Sequence, residues 1–203
     1  MSEGPIFRFL PCALLVACAC FAFSAEKTFK VGGTPTQQTV QVESETEVET
    51  FTAKTNKASG AIRFDPVKKT GSGSIRVEAA TLDTGIAKRN EQLYGKEWLD
   101  VKKHPAIVFT ATKVQHVKGD EYRVAGNFSM RGVTKAIAAT ASARYLRESE
   151  ATRKAGLKGD VLQVKASFKI LLADFGIKSP DAFITDFPNQ VTVSVTLYAQ
   201  TGL

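Results

Sequence analysis

Apolar and polar side chains alternate with a period of two through nearly all of the chain beyond residue 38. In a pleated strand successive side chains point to opposite faces, so each such stretch has one face to bury. Near the C-terminus Val191, Val193, Val195, Leu197 and Ala199 share one side, and Thr192, Ser194 and Thr196 share the other. Val40 and Val42, then Ile62 and Phe64, then Ile75, Val77 and Ala79 follow the same rule. So do Ile107, Phe109 and Ala111, and the run Tyr122, Val124, Gly126, Phe128 and Met130. Ile137, Ala139, Ala141 and Ala143 come next, and then Leu162, Val164, Ala166, Phe168 and Ile170. The pattern predicts about eight strands with short turns and little helix, which leaves an antiparallel barrel or a sandwich. The run KKTGSGS reads as a turn, and the charged stretch over residues 145–160 as a solvated hairpin loop.

One stretch breaks the rhythm. Leu93, Trp98, Leu99 and Val101 are spaced more like a helix than a strand, Gly95 interrupts any long helix, and Pro105 ends it before the next strand. One or two short helices capping an end of the sheet are the expected result.

Residues 1–25 differ in kind from the rest, and residues 26–203 read as a single domain. After Arg8 comes the apolar run FLPCALLVACACFAF, followed by the small-residue spacing Ala22-Phe23-Ser24 of a signal-peptidase site. The run is shorter than the roughly 20 apolar residues of a membrane span. Cleavage near Ser24 or Ala25 would deliver a periplasmic or secreted protein. A second reading takes LVAC, Leu15 to Cys18, as a lipobox that leaves Cys18 lipidated. Cys12, Cys18 and Cys20 all lie in this segment, so a cleaved chain has no disulfide framework and no cysteine metal site. The segment carries one Arg and one Glu, and its removal leaves the net charge at +7. Such a basic surface suits either an anionic lipid surface or plain solubility.

Catalytic signals are sparse. No Gly-x-Ser-x-Gly elbow occurs, and His104 and His116 lie outside zinc-motif spacing, so no metal site and no cofactor are expected. Scattered Lys and Arg without interleaved aromatics argue against nucleic acid. Asp83, Glu91 and Arg89 could act as acid, base and electrostatic clamp on an apolar substrate. Alternatively Asp83 and Thr84 cap a turn and Arg89 pins the helical segment to the sheet.

The ordered set LDTGIAKRNEQL, EWLDVKKHPAIVFTAT and YRVAGNFSMRGVTKAI resembles the YceI-like family, exported bacterial lipocalin-like barrels that bind polyisoprenoid lipids. Arg131 to Lys135 keeps the family's Arg-Gly-Val-Thr-Lys turn, and Asp174-Phe175-Gly176 its step before the last strands, whereas Asn90 and Gln92 depart from its Arg-Asp-Glu-His-Leu run. The resemblance implies an all-β, eight-stranded antiparallel lipocalin-like barrel holding a long-chain isoprenoid, a quinone or polyprenyl phosphate, for transport or storage, without enzymatic activity.

A barrel of eight strands either fills with side chains or keeps room for one small ligand. Alanines at 139, 141 and 143 would leave volume on one wall, facing Phe64, Phe109, Phe128 and Phe168. With Val77 and Phe175 these are the expected ligand-binding residues. Leu93 and Trp98 would cover the mouth, and Asp83 and Arg89 would hold the turn or meet a polar head group. Membrane-surface contact and a homodimer are further expectations; a non-catalytic envelope interaction or stress role is the remaining alternative.

Overall fold

The computed structural model describes residues 26–32, 38–45, 50–178 and 189–203. The leader and the Cys18 lipobox lie outside the described residues. Ten strands form one antiparallel sheet: β1 (Lys27–Val31), β2 (Thr39–Glu45), β3 (Thr50–Thr55), β4 (Ala58–Asp65), β5 (Thr70–Glu78), β6 (Ala106–Lys118), β7 (Glu121–Met130), β8 (Val133–Leu146), β9 (Val161–Leu171) and β10 (Gln190–Gln200). Among the described residues the sheet is joined by two helices, α1 (Ala87–Tyr94) and α2 (Glu150–Lys154), and by the 3-10 turns Ala79–Thr81 and Leu172–Phe175.

Closure depends on the two edges of β10. One pairs with β9 along the whole strand, from Gln190↔Leu171 to Gln200↔Val161. The other is divided, with β2 taking Val191 to Thr196 and β1 meeting Gln200 at Lys30. Since β1 also pairs with β4, the strands β1 and β4–β10 make a closed eight-stranded ring, and the β2–β3 pair fills the remaining seam. Closure leaves few unpaired backbone groups and turns one face of every strand inward.

The eight-stranded barrel is thus present, but its membership differs from the sequence reading. The short strands β1, KTFKV, and β3, TFTAKT, have too few apolar positions to show a period. The run Gly71–Ser74 is strand, not turn; the turn lies before it. A Cβ at Gly73 would stand 2.8 Å from the Ala61 carbonyl oxygen, so glycine here permits close strand approach rather than chain reversal. The charged stretch over 145–160 is likewise not a simple solvated loop. Ser149 caps α2 through a reciprocal pair with Thr152, and Thr152 and Leu157 are buried.

Each end of the barrel has its own fastening. At the α1 end, the Tyr94 hydroxyl donates to the Leu82 carbonyl at 2.6 Å, and Arg131 donates to the carbonyls of Gly176 and Lys96 at 2.6 Å each. Arg131 and Gly132 both have positive φ, 53° and 76°, as a tight two-residue hairpin requires. At the α2 end, Lys27 on β1 donates to Asp160 at 2.5 Å, and Tyr145 donates to the same carboxylate oxygen at 2.7 Å.

Candidate functional site

Inside the ring lies a cavity of about 170 Å³. Its wall comes from the inward face of most strands, and no charged side chain is among the residues that line it. Seven of the sequence-predicted ligand residues are on this wall: Phe64, Val77, Phe109, Phe128, Ala139, Ala141 and Phe168. The alanines of β8 leave one side open, as their volume requires, with Ala143 continuing the stripe.

The aromatic side is ordered by edge and stacking contacts. Phe168 stacks on Phe109 at 6.3 Å and meets Phe128 edge-on at 5.5 Å, and Phe128 meets Phe175 edge-on at 5.6 Å. Gly126 makes this arrangement possible, because a Cβ there would fall 2.4 Å from the Phe109 ring.

Leu93, Trp98 and Phe175 do not line the cavity. Phe175 is buried behind Phe128, and Leu93 and Trp98 pack against the core from outside. Leu99, Met130 and Leu172, at the same end of the barrel, are buried in the core cluster. Asp83 and Arg89 are also off the wall. The Asp83 carboxylate accepts from Asn90 at 2.7 Å and from the Gly85 amide at 2.8 Å, and these two bonds hold its pKa below the usual carboxylate range. Asn90 in turn accepts from the Thr84 amide and hydroxyl. The Arg89 guanidinium lies over the Phe51 ring, 5.2 Å from its centre, which ties α1 to β3. Asp83 and Arg89 therefore serve the turn and the helix, and Glu91 is exposed and off the cavity wall.

Alternation alone carries part of the wall that the aromatic and alanine signals missed. Val40 and Val42 of β2 line the seam, and Val193, Val195 and Leu197 of β10 continue it. Gly71, Ser72 and Gly73 of β5 and Val114 of β6 also line the wall without a signal in the sequence, since the first three read as turn and Val114 falls out of step with Ala111. His116 bonds the Gly119 carbonyl and packs edge-on against Tyr122 at 5.2 Å. Burial, and secondarily the charge of Asp120, raise the Tyr122 phenol pKa above its ordinary value. Among the described residues no group of three or more His, Cys, Asp or Glu is placed to hold a metal.

Such a wall can remove a narrow apolar molecule from water, and it offers that molecule no charged partner. The chain's likenesses agree with that architecture. Residues 33–199 match the YceI-like domain. A protein of Azotobacter vinelandii is 30% identical over 123 residues, 59% of this chain and 59% of that protein. Protein YceI of Salmonella arizonae is 32% identical over 107 residues, 51% of each chain, so the matched stretches span little more than half of these relatives. In fold, the crystal structure of Burkholderia cenocepacia BcnA superposes with a TM-score of 0.71 at 19% identity, covering 83% of this chain and 100% of that one. A structure described as a polyisoprenoid binding domain from Saccharophagus degradans, implicated in plant cell wall breakdown, gives a TM-score of 0.60 at 13% identity over 85% and 98%. With the closed ring, the apolar interior and a domain match that runs from before β2 into β10, the chain belongs to the YceI-like family.

Proposed function

We propose that the protein is an exported carrier or store for one long-chain isoprenoid, of the quinone or polyprenyl phosphate type, with the tail inside the barrel. The observation that carries this reading is the cavity of about 170 Å³ with no charged side chain among the residues that line it. A phosphate or other ionised head would lose its hydration there without a partner, so the head stays outside and only the tail enters. The name of the Saccharophagus structure, a polyisoprenoid binding domain, supports the same ligand class.

Magnitudes make the arrangement sufficient. Each buried methylene contributes roughly 0.8 kcal/mol, hence about 3–4 kcal/mol per isoprene unit before ordering costs. Two or three units thus approach the roughly 8 kcal/mol of micromolar binding. Export is supported by the apolar leader, and contact with a membrane surface by the net charge of +7. Binding without bond chemistry fits the position of Asp83, Glu91 and Arg89 away from the wall.

A titration with polyprenols of increasing length tests the proposal. Affinity should rise with each added unit until the cavity is full and then level off, and the ligand should be recovered unchanged. Binding that does not saturate, or that is indifferent to chain length, would overturn it.

A further inference from the structure

Strands β5 and β6 share a ladder only between Gly73↔Ala111 and Glu78↔Ala106. Beyond Gly73 toward the α2 end, β5 continues back to Thr70 paired with β4 alone, and β6 continues to Lys118 paired with β7 alone. The parting begins where the β6–β7 register shifts between Ala111 and Lys113. A bulge bends its own strand and increases local twist, so β6 turns away from its neighbour there. The cavity reaches this gap, since Gly71, Ser72, Gly73, Ala111 and Val114 are all on its wall.

We infer that this parting of β5 and β6 is the portal through which an isoprenoid chain enters and leaves, rather than the barrel end under α1. At the α1 end Leu99, Met130, Leu172 and Phe175 are buried and off the cavity wall. The turns beside the portal have the composition of a lipid-facing rim. Val67, in the β4–β5 turn, is 69% exposed, and Val117, near the end of β6, is 49% exposed. The Asp65 carboxylate fixes the first turn by accepting from the amides of Val67 and Lys68 at 2.9 Å each. Lys68, Lys69, Lys113 and Lys118 stand on the same flanks, although Lys68 and Lys118 lie 4.0 Å and 3.9 Å from Asp65 and Glu121. An anionic head left outside the cavity would find them within the portal's margin.

The inference rests on the cavity being the isoprenoid site, and the test separates the two. In chains with Cys12, Cys18 and Cys20 changed to Ser, Ser72→Cys and Lys113→Cys are bridged by a short bis-maleimide across the outer side of the gap. The control bridges Ser74→Cys and Thr110→Cys on the same two strands, where the ladder is intact and the native hydroxyls lie 3.0 Å apart. Phylloquinone uptake is followed by quenching of Trp98, the chain's one tryptophan. Closing the portal should slow uptake and release by about tenfold or more, and the control bridge should alter neither rate. Equal rates in the two bridged chains would overturn the portal. Absence of phylloquinone binding in the unbridged chain would instead overturn the proposed function. Ser72→Cys carrying a single bulky maleimide gives a second reading, with slowed loading expected and unaltered loading against the portal.

Discussion

Ala141 tests the cavity most economically at the scale of a residue. It is 7% exposed and pairs with Tyr122 across the β7–β8 ladder, with its methyl on the cavity wall. Ala141→Phe would place a ring in the space a tail is proposed to occupy. Filling part of an apolar void removes part of a penalty of ~24 cal/mol per Å³, offset by any strain of the larger ring. Phylloquinone affinity should fall by more than about tenfold while the melting temperature holds or rises. Arg131→Ala should do the opposite. Its bonds to the carbonyls of Gly176 and Lys96 fasten the α1 end away from the cavity wall, so denaturant unfolding should show a loss of about 2 kcal/mol with ligand affinity nearly unchanged.

Among the elements, β1 depends most on one polar contact. Asp160 accepts from Lys27, Tyr145 and the Glu148 amide, and these bonds, Lys27 first, pull its pKa from 3.8 down to about 2. A carboxylate with a depressed folded-state pKa adds stability above its unfolded value, and that stability is lost as pH falls through the folded one. The contribution should be complete above about pH 4 and gone near pH 2, worth about 1–2 kcal/mol after allowance for partial exposure. Acid titration of unfolding for the native chain and Asp160→Asn should show the difference narrowing across that window. A constant difference would mean that the carboxylate charge is not what fastens β1.

Elements also show what a sequence conveys. Strands β7, β8, β9 and β10 were legible because each carries a long unbroken alternation. Strands β1 and β3 were not, being five and six residues long and specified by their neighbours on β4, β10 and β2. In β6 the apolar set steps from Ile107, Phe109 and Ala111 to Val114, a slip of one that marks the bulge. A strict period of two would have turned Lys113 inward. The seven wall residues named from phenylalanines, alanines and Val77 were readable because size and alternation are local properties. The places of Trp98, Leu93 and Phe175 were not, because whether an apolar residue lines a void or plugs it is settled by packing of distant segments.

The whole molecule combines an apolar hollow of about 170 Å³ with a net charge of +7. If its portal rim meets an anionic surface, phylloquinone transfer from phosphatidylglycerol vesicles should be faster than from phosphatidylcholine vesicles. The difference should shrink as salt is raised past about 0.1 M, where the screening length falls to roughly 10 Å. Equal rates at low salt would remove the membrane contact from the account without touching the cavity.

The central claim is that the barrel holds one isoprenoid tail. Native mass spectrometry of the protein taken from its producing cells, with lipid analysis of the extract, tests it most directly. The account predicts a complex of one chain with one apolar isoprenoid, removed by organic extraction. A mass equal to the bare chain, in a protein that also takes up no added polyprenol, would contradict it.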